Sequence, residues 1–147
     1  MHNFVPKKGG FTLVELLIVI AILALLTTII ISGTNSARIK AKDAAIKEDL
    51  SSLRSGGELW NNTNGTYAGF CVDNDCNCAL CSIDWKNICS AIKTQNSGKA
   101  VNCTFSAGNA GWCASSQFVG SSKYYCVDST NKAQTQDTAC SAGVCQP

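Results

Sequence analysis

The chain has 147 residues, with 12 Lys+Arg against 10 Asp+Glu and a single histidine, His2. That length is enough for one small domain beside a long N-terminal helix. The slight positive balance is no nucleic-acid footprint. A lone histidine at the extreme N-terminus leaves the body of the chain without the imidazole of Ser-His-Asp or Cys-His catalysis and of His-ligated metal sites.

The N-terminus reads Lys7-Lys8-Gly9-Gly10-Phe11-Thr12-Leu13-Val14-Glu15-Leu16-Leu17. A short basic leader ends in glycine, a bulky apolar residue follows, and an acid sits fifth in a long apolar run. Residues 11–31 contain no charge other than Glu15. A helix of that length spans a bilayer core of about 30 Å. A secretory signal has a shorter apolar region and ends at a small-residue cleavage site. A simple signal anchor fits the length but leaves Glu15 unexplained, because a carboxylate deep in a bilayer costs about 2.5–3.5 kcal/mol.

After Ser32-Gly33-Thr34-Asn35, the residues Ile39, Ile46, Leu50, Leu53 and Trp60 recur on one helical face, with charged residues around them. The pattern predicts one helix from about residue 12 to about residue 61, with Gly33 as a candidate bend. Gly56-Gly57 weakens its last turns by about 1 kcal/mol per glycine. Asn61-Asn62-Thr63-Asn64-Gly65 is the stop and turn.

The ten cysteines are Cys71, Cys76, Cys78, Cys81, Cys89, Cys103, Cys113, Cys126, Cys140 and Cys145. An even, dense set confined to the part after a membrane segment reads as disulfides in an oxidising compartment. A domain of this size buries a marginal core and needs such staples. The pairing stays open; Cys113 with Cys126 is one possibility if a hairpin register sets them opposite. Cys76, Cys78, Cys81 and Cys89 also have a spacing adequate for a thiolate metal site, but disulfides are the expected use in an exported domain. Asp73-x-Asp75-x-Asn77, with Asp84 beyond, loosely resembles a calcium loop. It carries Cys78 in place of the required glycine and reads better as a polar turn. The three Asn-x-Thr triplets at Asn61, Asn64 and Asn102 read as turn residues. No metal and no cofactor are expected.

A short helix is expected at about residues 83–93, with Trp85, Ile88 and Ile92 on one face. Residues 111–119 and 123–128 read as two strands joined by a Gly-Ser turn, with Trp112 facing Tyr124 or Tyr125. The tail after Asn131 is polar and reads as tethered by Cys140 and Cys145. The fold class is therefore α+β: a long N-terminal helix packed on a small disulfide-rich domain with a short antiparallel sheet.

Gly10, Phe11 and Glu15, with the apolar segment that follows, resemble the type IV pilin and pseudopilin family. The resemblance implies a leader at residues 1–10, cleaved between Gly10 and Phe11 by a prepilin peptidase, and N-methylation of Phe11. It implies a membrane and filament-core helix over residues 11–31, an amphipathic continuation over 32–61 and a cysteine-rich head over 62–147. Glu15 would pair with the new N-terminal amine of a neighbouring Phe11 during assembly. The implied protein is no enzyme. It is a structural subunit that waits in the cytoplasmic membrane and then enters a helical homopolymer at the cell surface, through a pilus or secretion assembly platform. No nucleic-acid partner is expected, since Trp60, Trp85, Trp112 and the tyrosines read as packing residues. A pseudopilin of a type II secretion or competence system is the alternative within the family. A signal-anchored, disulfide-rich extracellular binding module is the alternative outside it.

Overall fold

The computed structural model describes residues 9–71, 76 and 82–146, apart from the side chains of residues 31 and 32. The chain divides into two compact units, Met1–Ala37 and Arg38–Pro147.

The first unit is helical from Leu13, where helix α1 (Leu13–Asn64) begins. Its described large apolar side chains are exposed, from Phe11 at 88% to Val19 at 48%. Polar groups in this stretch are satisfied locally: the hydroxyls of Thr27, Thr28 and Thr34 donate to the carbonyls of Leu23, Ala24 and Ile30 at 2.6, 2.9 and 2.6 Å. Such bonds within one helix are what a hydrocarbon environment demands of a polar residue. The backbone stays helical through Gly33.

In the second unit, α1 lays one stripe against a small α+β head. Ile46, Leu50 and Leu53 are fully buried, and Ile39 and Trp60 are half-buried. Full burial of each such aliphatic side chain stabilises by about 1.5–3 kcal/mol. The helix runs three residues past the expected stop. The side chains of Thr63 and Asn64 donate to the carbonyls of Leu59 and Trp60, and the chain leaves the helix at Gly65 in a left-handed conformation (φ +70°). Helix α2 (Ile83–Gln95) follows the periodicity expected of it, with Trp85, Cys89 and Ile92 buried. Ser82 caps it, accepting from the Trp85 amide at 3.1 Å.

Four antiparallel strands follow in sequential order: β1 (Val101–Phe105), β2 (Trp112–Gln117), β3 (Tyr124–Asp128) and β4 (Ala133–Gln136). The β2–β3 hairpin is the expected one; β1 and β4 extend it on either side. Side chains alternate across the sheet. Val101, Trp112, Ala114 and Val127 join the core made by the helices. Cys113 and Cys126 lie in a separate buried cluster with Cys140 and Cys145.

Three expectations change here. Register places Cys113 opposite Asp128 and Cys126 opposite Ser115, so the two cysteines are offset by two residues and do not bond each other. Cys113 pairs with Cys140 and Cys126 with Cys145, at Cα separations of 6.2 and 5.7 Å. Trp112 stands opposite Phe105 on β1 rather than opposite a tyrosine, and meets Phe70 edge-on at 4.9 Å. The polar tail is more than tethered. Its first part is β4, and its last part closes over the sheet as a strap.

Candidate assembly and processing site

The sequence motif brings its residues together at the start of α1. Gly9, Gly10, Phe11 and Thr12 lie outside regular secondary structure and are exposed. A side chain at either glycine would meet nothing within 4 Å. Gly9, Gly10, Phe11 and Glu15 line one shallow recess of about 230 Å³. The Gly10–Phe11 peptide bond is thus exposed and outside regular structure, where proteolysis is favoured.

Glu15 is tied to Thr12 by a reciprocal cap. The Thr12 amide and hydroxyl both donate to Glu15 Oε2, at 2.9 and 2.8 Å, and the Glu15 amide donates to Thr12 Oγ1 at 3.3 Å. This is a capping box, which satisfies amide groups that a helix start would otherwise leave unpaired. Thr12-x-x-Glu15 is its sequence signature, legible but not among the residues first picked out. It gives Glu15 a use within its own chain.

The cysteines fall into two groups. Cys71 bonds Cys103 and Cys76 bonds Cys89, joining the post-helix loop to β1 and α2. With Cys76 and Cys89 bonded to each other, the thiolate metal site loses two of its candidate ligands. Cys78 and Cys81 lie outside the described residues, as do Asp73, Asp75 and Asn77 of the calcium-like turn. Among the described residues, no three His, Cys, Asp or Glu side chains gather as metal ligands.

Sequence reading missed the polar framework under the strap. Asp128 is fully buried. Its Oδ2 accepts from the Cys145 amide at 3.0 Å; its Oδ1 accepts from the Thr130 hydroxyl at 2.7 Å and from the amides of Thr130 and Lys132 at 2.9 and 3.1 Å. Burial pushes this carboxyl up, but the donors from Cys145, Thr130 and Lys132 outweigh it and hold the group below its ordinary 3.8. Ser115 Oγ accepts from the Cys140 amide at 2.9 Å, and Thr104 Oγ1 from the Gly143 amide at 3.3 Å. On the other side of the head, Tyr67 donates to Glu58 at 2.8 Å. Burial first, then that carboxylate, pushes the phenol up to about 12.

The exposed Gly-Phe junction and the capped apolar helix lie in the segment that comparison with known proteins matches. Residues 5–31 match the family described as the prokaryotic N-terminal methylation motif. Over 58 residues the chain is 40% identical to the type IV wide pilus major component PilA4 of Thermus thermophilus, a match covering 40% of this chain and 44% of that protein. The match thus spans less than half the length of that relative. No solved structure matches the chain. Its N-terminal segment is thus similar to that of a type IV pilin.

Proposed function

We propose that the protein is the structural subunit of a type IV pilus-like filament. Residues 1–10 are removed by a prepilin peptidase, Phe11 becomes the methylated N-terminus, and residues 11–31 hold the subunit in the cytoplasmic membrane until assembly. The helices then polymerise into a core and display the head, residues 62–147, at the cell surface. One observation carries the reading: the helix is apolar on every side and exposed along its whole first part. Such a helix is stable in lipid or among copies of itself, and head-to-tail contacts that do not close generate a helical polymer. The protein is the substrate of its processing enzymes and does no chemistry of its own.

The capping box favours a second reading. If Glu15 serves only to cap its own helix, a signal anchor carrying a disulfide-rich binding module needs nothing more of it. Three variants separate the two. In the filament reading the charge on Glu15 is needed, so Glu15→Gln, which keeps a cap acceptor, loses surface filaments as fully as Glu15→Ala, while Thr12→Ala retains most of them. In the anchor reading no chain forms filaments, and the amount of protein held in the membrane is as wild type for Glu15→Gln and equally lowered in Thr12→Ala and Glu15→Ala. Peptide mass spectrometry of sheared surface protein adds the other arm: an N-terminus at Phe11 supports processing, and an intact Met1 overturns it.

A further inference from the structure

Arg38, Lys40 and Lys42 are exposed, and none has an ion-pair or hydrogen-bond partner among the described residues. No acid occurs between Glu15 and Asp43. The carboxylates that follow on α1 are mostly engaged within the head. Asp43 accepts from the Val119 amide at 2.7 Å, Asp49 from Gln95 Nε2 at 3.0 Å and Glu58 from the Tyr67 hydroxyl. Lys47 is also placed, its Nζ lying over the rings of Phe118 and Tyr125 at 5.3 and 5.7 Å. The three cations at residues 38–42 therefore form a run of unpartnered like charge at the start of this stretch; Glu48 and Arg54, also without a partner among the described residues, lie singly further along. They also oppose the usual bias of orientation: Lys7 and Lys8 precede the apolar span, whereas Arg38, Lys40 and Lys42 follow it on the translocated side. Cations retained against that bias call for a use where they end up.

We infer that residues 38–42 form a cationic collar that binds the anionic phosphate headgroups of the membrane while the precursor waits there. The inference rests on residues 11–31 spanning the bilayer. Seven to eleven helical residues from Ile31 reach about 10–16 Å, within about a Debye length (about 8 Å) of the headgroup layer. A cation at that level attracts anionic lipid, and long Lys and Arg stems let the charge find the phosphate. Spacing by two puts Arg38 and Lys42 on one side of the helix and Lys40 on the other, flanking the face at Ile39 and Asp43 that the head occupies. Leaving the membrane for a filament would require giving these contacts up. The bound lipid thus holds subunits back until the assembly machinery draws them out.

The test uses the full chain in lipid nanodiscs, with Lys7 and Lys8 replaced by glutamine throughout so that only the collar is read. Spin-labelled phosphatidylglycerol and phosphatidylcholine report the relative association of each lipid with the protein. Expected is a preference of about threefold for the anionic lipid, falling to one at high salt and to one in R38Q/K40Q/K42Q. Near-ultraviolet circular dichroism verifies that the variant's head stays folded. Equal association of both lipids in the unaltered collar overturns the inference. So does a triple variant that keeps the lipid preference, or one that changes only self-association, which would make a second copy the partner. A chain that does not enter the discs overturns the membrane-span reading itself, a different failure from a span with an indifferent collar.

Discussion

Adjacent glycines on α1 have opposite roles. A Cβ at Gly57 would sit 2.7 Å from Trp112 Nε1 and 2.9 Å from two indole carbons. The buried Trp112 indole rests on the helix backbone where any side chain would push it away. A Cβ at Gly56 meets only the Asp84 side chain, at 3.3 Å or more, and that flexible carboxylate yields. Alanine gains about 1 kcal/mol of helix propensity at either site, but overpacking a buried ring costs about 1–3 kcal/mol or more. Gly56→Ala is therefore expected to raise the urea midpoint, and Gly57→Ala to lower stability by about 1–2 kcal/mol. Equal shifts in the two variants would remove the packing role of Gly57. Asp128 carries a second prediction at this scale. Its folded pKa lies below the ordinary 3.8, so its stabilisation is complete above that value and is lost as pH falls through the lower folded one. In Asp128→Asn one amide oxygen can still accept from Thr130 and Lys132, but the NH2 group would face the Cys145 amide, donor against donor. About 2 kcal/mol should be lost at pH 7. The gap from wild type should close in unfolding titrations as pH falls below the ordinary carboxylate range, and a gap constant with pH would show that the carboxylate charge is irrelevant.

At the scale of elements, the strap makes the sheet a filled layer rather than a half-exposed one. Helices cover one face, and the strap covers Cys113, Ser115, Cys126 and Asp128 on the other. Its two bridges close separations of 27 and 19 residues, each contributing about 3–4 kcal/mol by restricting the unfolded chain. Removing one whole bridge, as in Cys126→Ser with Cys145→Ser, should lower stability by that amount. Hydrogen exchange should speed up in β3, β4 and the strap and leave α2 unchanged; uniform acceleration would mean the strap is no separate element. Much of this architecture is legible in the sequence. The stripe at Ile46, Leu50 and Leu53, the face of α2 and the β2–β3 hairpin all follow from periodicity and turn residues. Strand β4 is not legible, because Ala133-Gln134-Thr135-Gln136 has no apolar alternation and forms through pairing with Tyr124–Asp128. Cysteine pairing is not legible either, since a two-residue offset in register redirects both hairpin cysteines to the tail. Gly57 reads as a propensity cost because its compensation comes from Trp112, distant in sequence. At the N-terminus the motif is plain, yet the charge of Glu15 drew attention away from the Thr12 cap beside it.

The whole molecule carries a charge balance that the proposed processing would reset. The full chain is +2, and removal of residues 1–10 takes Lys7, Lys8 and the only histidine with it, leaving 10 Lys+Arg against 10 Asp+Glu. Terminal amine and carboxylate cancel. Between the carboxylates, which titrate near pH 4, and the α-amine near pH 8, no side chain of ordinary pKa changes its charge, because histidine is absent. A mature subunit of the proposed filament would thus sit at zero net charge over a broad plateau instead of at one isoelectric point. Net charge near zero removes the repulsion that keeps particles apart. Sheared filaments should associate laterally throughout about pH 5.5–7 and disperse as the carboxylates protonate near pH 4. They should disperse again in alkali, as net negative charge builds up and restores repulsion. Light scattering against pH at low salt reads this directly. A flat-topped profile fits the processed chain, whereas a single maximum above pH 8 would mark subunits that still carry Lys7 and Lys8.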